Sequence, residues 1–154
     1  MRGGSTLALA AILGSVAPPA GATGDPLGWH YSASTHLTPE NVARLETAWI
    51  HRNGDMAAAQ GEPSSVSAQS TPILLPPGAG GHLVYCTPFN RVIALDPRSG
   101  MERWVYDPQV PRSSERPYRC RGVAYADVPQ ADVAAACRHR IYTVTVDRRL
   151  IALD

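Results

Sequence analysis

Arg91-Val92-Ile93-Ala94-Leu95-Asp96 recurs as Arg149-Leu150-Ile151-Ala152-Leu153-Asp154, and each copy is preceded by an apolar, tyrosine-containing strand signal. That signal is Leu83-Val84-Tyr85 in the first copy and Arg140-Ile141-Tyr142 in the second, and the copies lie fifty-eight residues apart, from position 91 to position 149. A β-rich unit that repeats at such a spacing cannot cover its apolar face alone and stacks on its neighbour, which points to propeller blades carrying an inserted loop. The first copy runs on through Asp96-Pro97-Arg98-Ser99-Gly100 to Met101-Glu102-Arg103-Trp104. This reads as strand, tight turn, strand. Asp96 can cap the turn, Gly100 adopts a positive φ at low cost, and Trp104 returns a large ring to the blade. The second copy reaches only Asp154, before its own turn and tryptophan. The expectation is therefore a partial β-propeller, incomplete at the C-terminus, with an unpaired edge.

Outward from the repeat, short β signals at Thr71 to Leu75, Leu83 to Thr87, Arg91 to Leu95, Arg103 to Tyr106, Ile141 to Val146 and Leu150 to Leu153 are bounded by Pro, Gly, Asp and Asn. None has helical periodicity, so the chain reads as all-β. One short N-terminal helix is expected over Thr38 to Leu45, with Thr38 as N-cap, Pro39 in the first turn and Asn41 where a capping box places Glu or Gln. Leu45, Ala48, Trp49 and Ile50 then lead into a strand that ends at the turn signal Asn53-Gly54-Asp55. Residues 56–70 read as a surface loop, and 107–120, with Pro108, Pro111 and Pro117, as a long connection.

Composition narrows the function classes. The net charge is +1 and all fourteen basic residues are arginines, dispersed along the chain, so no nucleic-acid-binding arm is expected. Residues 1–22 read as a secretory signal: Arg2, an apolar stretch from Leu7 to Ala17, the break at Pro18-Pro19, and Ala20-Gly21-Ala22 as the cleavage pattern. A short uncleaved anchor is the alternative, and the mature domain is expected to begin at residue 23. An exported chain permits disulfides. Of the three cysteines, Cys120 and Cys137 flank a loop-like stretch and are the expected pair, with Cys86 a small buried hydrophobe. No Cys/His spacing suggests zinc.

Ala94-Leu95-Asp96, Gly100 and Trp104 resemble the tryptophan-docking repeat of the pyrroloquinoline quinone (PQQ) dehydrogenases, whose fold is an eight-bladed propeller. Further segments follow in family order: Gly28-Trp29-His30-Tyr31-Ser32 through His36-Leu37, Asn41-Val42-Ala43-Arg44-Leu45, Arg52-Asn53-Gly54-Asp55 and Ser70-Thr71-Pro72-Ile73. Tyr106-Asp107-Pro108 and Cys120-Arg121-Gly122-Val123-Ala124-Tyr125 are similar to the membrane-associated glucose, quinate and shikimate dehydrogenase branch. That branch opens with several membrane helices, whereas residues 1–22 here read as an export signal.

The resemblance implies an N-terminal part of a periplasmic, inner-membrane-associated quinoprotein dehydrogenase. It would oxidise a sugar or polyol and pass electrons to a quinone or cytochrome. The cofactors implied are PQQ and calcium, with the catalytic aspartate and the calcium ligands in later blades, so that no catalytic residue is expected here and the chain alone is expected to be inactive. PQQ carries three carboxylates, for which an arginine fork is the natural partner, and Arg121 matches the family's cofactor-binding arginine. Gln69 stands where many members place a cofactor-contacting glutamate, and keeps the hydrogen-bonding capacity without the charge. Asp127, Asp147 and Asp154 suit turns rather than catalysis. The alternative reading is a non-enzymatic propeller scaffold for protein–protein contact.

Overall fold

The structure, a computed structural model, describes residues 35–59, 66–112, 117–128, 132 and 135–154. The signal-peptide expectation and the Gly28 to Ser32 motif lie outside these residues. Among the described residues nine strands form three sheets: β1 (Val66–Thr71), β2 (Ile73–Leu74), β3 (Leu83–Cys86), β4 (Val92–Leu95), β5 (Glu102–Tyr106), β6 (Tyr118–Gly122), β7 (Ala124–Asp127), β8 (His139–Val144) and β9 (Leu150–Leu153). Strands β2-β3-β4-β5 make an antiparallel four-stranded meander, and β7-β8-β9 repeat its first three strands.

The two six-residue strings are equivalent strand by strand, whereas the tyrosines before them are one residue out of step, Tyr85 pairing with Ile93 and Tyr142 with Ala152. Val84 pairs with Ala94 across β3 and β4, and Tyr142 pairs with Ala152 across β8 and β9, so the two Ala-Leu-Asp strings occupy the same place in consecutive blades. The first strand of each blade is longer than a single ladder. β1 leads into β2 across Pro72, and β6 leads into β7 across Val123, and the two leading segments pair with each other in parallel. In a closed propeller the blades surround a central channel lined by the first strand of each meander. The ribbon of β1 and β6, which lead into the first strands β2 and β7, is therefore expected on the channel side and is called the inner ribbon.

The core lies between the blades. β4 is buried at every position. Its residues Val92 and Ala94 join Val84, Ile73 and Ile141 in one cluster, against which Tyr125 and Leu153 of the second blade pack. The opposite face of β4 is covered by an extended segment, Trp49 to Asp55, whose odd-numbered residues are wholly or partly buried and whose even-numbered residues are exposed. Each buried position has a named attachment. The Trp49 ring lies on Gly100 and its Nε1 donates to the Pro97 carbonyl at 3.2 Å. His51 links the Tyr85 hydroxyl at 2.8 Å to the Glu102 carboxylate at 2.8 Å. Asp55, 1% exposed, accepts from the Phe89 N–H at 2.9 Å and is ion-paired with Arg91, which also donates to the Asn53 carbonyl.

The turn after β4 forms as its residues require. Asp96 Oδ1 accepts the N–H groups of Arg98 and Ser99, both at 2.9 Å, while Oδ2 pairs with Arg103. The Arg103 guanidinium, followed by the two turn amides, holds the Asp96 carboxyl well below the ordinary carboxylate range. Gly100 has φ +70°. Trp104 pairs with Ala94 and is partly buried against the cluster.

Several local expectations are corrected. The helix expected over Thr38 to Leu45 shortens to a 3-10 turn, Val42–Arg44, although Asn41 Oδ1 does accept the Thr38 N–H at 2.8 Å, as the second half of a capping box would. The strand expected after Leu45 is extended and alternating but has no ladder partner, because the segment crosses the sheet face through side chains. The Asn53-Gly54-Asp55 turn opens a four-residue helix, α1 (Asp55–Ala58), and Asn53 Oδ1 accepts the Asp55 N–H at 3.0 Å. Residues 56–70 are not all loop, since β1 begins at Val66, and the connection over 107–120 ends inside β6, which begins at Tyr118.

The disulfide is also different. Cys86 pairs with Cys120, with Cα atoms 5.8 Å apart, and Cys137 is free. The expected Cys120–Cys137 bridge would have closed a loop within one blade. The parallel pairing of β6 with β1 instead carries Cys120 beside the end of β3, and the turn before β8 holds Cys137 by its N–H to Asp154 Oδ1 at 2.6 Å.

Candidate cofactor site at the inner ribbon

Strand β6 alternates strictly: Tyr118 and Cys120 are buried, Arg119 and Arg121 exposed. Its register with β1 pairs Ser67 with Arg119, Ala68 with Cys120 and Thr71 with Gly122. Three residues of β1 therefore span what two residues of β6 span, and the extra residue falls opposite Arg121. Ser70 turns toward the buried side, where its Oγ accepts the Cys86 N–H at 3.2 Å and lies 3.5 Å from Cys86 Sγ. Gln69, exposed, is left on the open side with Arg121. The fold thus brings together the two residues singled out for cofactor binding, which are fifty-two positions apart in sequence (69 to 121).

Arg119 lies on the same face two residues before Arg121, a neighbour that sequence reasoning missed. The alternation Tyr-Arg-Cys-Arg-Gly was the available signal, obscured by the prolines preceding it. Neither guanidinium has a hydrogen-bond or ion-pair partner among the described residues, unlike Arg91, Arg103 and Arg149, which pair with Asp55, Asp96 and Asp147. Two unpaired planar forks beside an amide suit a planar polycarboxylate, which they can bind through bidentate charged hydrogen bonds. This face fits PQQ.

The acidic residues weighed in the sequence take structural places. Asp147 bonds Thr145 Oγ1 and Arg149 in the turn before β9, and Asp154 caps Cys137. Asp127 stands at the end of a strand rather than in a turn, 3.4 Å from Arg138 and 3.3 Å from His139. Among the described residues no group of three or more His, Cys, Asp and Glu stands together as a metal site. A cleft of about 390 Å³ opens elsewhere, lined by Asn53, Asp55, Phe89, Asp107 and Arg112, but its charged groups are engaged locally: Asp55 with Arg91, Arg112 with the Ala58 carbonyl of α1 and Asp107 with the Gln109 N–H. No helix among the described residues is long and apolar enough to cross a membrane.

Comparison with known proteins agrees with this architecture. The family profile described as "PQQ: Glucose/ethanol/alcohol dehydrogenase, beta-propeller domain" matches residues 21–154. The chain is 35% identical over 132 residues to the quinoprotein glucose dehydrogenase of Escherichia coli (strain K12), a match covering 82% of this chain and 16% of that protein. It is 34% identical over 145 residues to the quinate/shikimate dehydrogenase (quinone) of Acinetobacter baylyi, covering 84% of this chain and 17% of the relative. A glycerol dehydrogenase large subunit of Gluconobacter thailandicus is 32% identical over 126 residues, with 80% and 16% covered. The chain spans about a sixth of the length of these relatives. With two blades in register, a docked tryptophan on the repeat turn and this match across nearly all of it, the chain belongs to the β-propeller family of PQQ-dependent glucose, ethanol and alcohol dehydrogenases.

Proposed function

We propose that these residues form the opening blades of a periplasmic PQQ-dependent dehydrogenase that oxidises a sugar or cyclic polyol of the glucose or quinate type. Electrons pass on to a quinone or a cytochrome, and the enzyme works at the inner membrane after removal of residues 1–22. The observation that carries the reading is the convergence of Gln69 and Arg121 on the open face of the inner ribbon, beside an unpaired second arginine. The Cys86–Cys120 disulfide supports an oxidising compartment, because such bonds are rare where thiol reductants prevail.

Bound PQQ would supply a two-electron acceptor for the hydride of the substrate alcohol. The part of this chain is to seat it. Arg121 offers a carboxylate of the quinone a rigid fork, whose charge-assisted bonds are stronger than neutral ones and set orientation as well as affinity. Gln69 donates through its side-chain amide to an adjacent oxygen. Its neutral side chain adds no negative charge beside the tricarboxylate, as a glutamate there would. Neither residue can accept the proton of the substrate hydroxyl, and the aspartate base and calcium ligands that the family implies are proposed to lie in other blades. Residues 1–154 alone would then show no turnover with PQQ, calcium and glucose or quinate.

The test is an equilibrium titration of the full-length apoprotein with PQQ. Arg121→Ala should weaken binding by roughly 1.5–3 kcal/mol, the range for hydrogen bonds to charged groups, with the melting temperature little changed. Gln69→Ala should weaken it less, because it removes only a neutral donor. Unaltered affinity in Arg121→Ala would refute the assignment.

A further inference from the structure

We propose that the Cys86–Cys120 disulfide is the positioning device for Arg121, fixing the strand that carries the fork from its buried side. The proposal rests on the cofactor reading above and adds what holds the cradle in place. Backbone pairing alone leaves β6 weakly specified. Its only strand partner among the described residues is β1, the pairing is parallel, and the register slips by one residue opposite Arg121. A two-stranded ribbon is marginal by itself, and the buried face that fixes the register of β6 is carried by two side chains only, Tyr118 and Cys120. A slip of one residue would exchange the two faces of β6, burying the guanidinium and exposing the sulfur.

The disulfide prevents that exchange. Cys86, 1% exposed, ends β3, which is paired on both sides by β2 and β4 and is therefore the firmest strand near the ribbon. Cys120 is 7% exposed and shares a peptide bond with Arg121, so anchoring its Cα anchors the root of the arginine. Its disulfide partner Cys86 is tied to the other strand of the ribbon, because the Cys86 N–H donates to Ser70 Oγ, next to Gln69. One sulfur bridge thus underlies both candidate cofactor residues. Two other ties act further back along β6: Tyr118, packed edge-on against Phe89 with its hydroxyl donating to the Pro111 carbonyl at 3.3 Å, and the long bond from Asn90 Nδ2 to the Arg119 carbonyl at 3.5 Å. Among the described residues, nothing on its own face ties Arg121 down.

The experiment is a double-mutant cycle on the full-length protein, read as PQQ affinity by equilibrium titration. Cys86→Ala/Cys120→Ala should weaken PQQ binding on the order of tenfold when Arg121 is present, a usual size for coupled neighbours. In an Arg121→Ala background the same pair of substitutions should change affinity less than about twofold, within the additivity expected of uncoupled sites. If the cysteine pair does not fold, the wild-type protein is reduced with dithiothreitol, the appearance of two further thiols is counted, and the titration is repeated with and without Arg121. An equal loss of affinity in both backgrounds, or none in the wild type, overturns the positioning role while leaving the cofactor reading intact. An Arg121→Ala protein with wild-type affinity removes the cofactor reading itself, and the positioning role with it.

Discussion

Gly100→Ala tests the docking of the N-terminal segment on the first blade, and its cost can be worked from the geometry. A Cβ added at Gly100 would stand 2.5 Å from Trp49 Cδ2 and Cε3, both ring atoms that cannot yield without moving the whole indole. The ring would have to leave. A half-buried tryptophan covers about 100 Å² of apolar surface, worth about 2.5 kcal/mol at roughly 25 cal per Å². The Nε1 bond to Pro97 adds about 1 kcal/mol, and because the site is partly wet the docked ring is worth about 3 kcal/mol altogether. At φ +70° the new alanine also carries about 1–2 kcal/mol of left-handed strain. Gly100→Ala should therefore destabilise the full-length protein by roughly 4–5 kcal/mol, but by only about 1–2 kcal/mol when Trp49 is already alanine. The assay is denaturant unfolding followed by circular dichroism for the two single variants and the double variant. Equal costs of Gly100→Ala in both backgrounds would refute the reasoning, because they would mean that the ring does not rest on the glycine.

Other expectations follow from the same contacts. Asp55→Asn should cost about 3–5 kcal/mol, because it leaves the Arg91 guanidinium without its buried counter-charge, and an unchanged unfolding midpoint would count against the pair. The carboxyl of Asp96 is held low by Arg103, so its contribution is complete above the unfolded value of about 3.9 and is lost as pH falls below it. The melting-temperature gap between wild type and Asp96→Asn should accordingly be constant from pH 7 to about pH 5 and narrow only in stronger acid, whereas narrowing above pH 6 would implicate another group. Mass spectrometry of the exported protein should find the N-terminus at or near Thr23, and a mature product retaining Met1 would contradict the proposed signal.

The architecture was legible where strand signals are local and repeated. The copies at Arg91 and Arg149 place equivalent strands in equivalent ladders, and the turn at Asp96 to Gly100 forms through bonds its own residues supply. What escaped was non-local. β1 is Val-Ser-Ala-Gln-Ser-Thr, with almost no apolar signal, and exists because β6 lies beside it. The disulfide depends on that pairing, so reasoning from loops along the chain chose the wrong partner for Cys120. Trp49 was read as part of a strand, although its ring docks on the turn at Gly100 about fifty positions away, while Trp104 packs on the core cluster as expected. Gln69 and Arg121 were reached through resemblance alone. Their shared face follows from one extra residue in β1, a feature of register that composition does not carry.

The central claim is that the open face of the inner ribbon seats the cofactor, and a structure of the full-length protein with PQQ bound tests it most directly. The account predicts Arg121 nitrogens about 2.7–2.9 Å from a PQQ carboxylate, with Cys86 and Cys120 still joined beneath the strand. A quinone bound with its carboxylates away from Arg121, or a β6 strand turned so that Cys120 faces the channel, would contradict it.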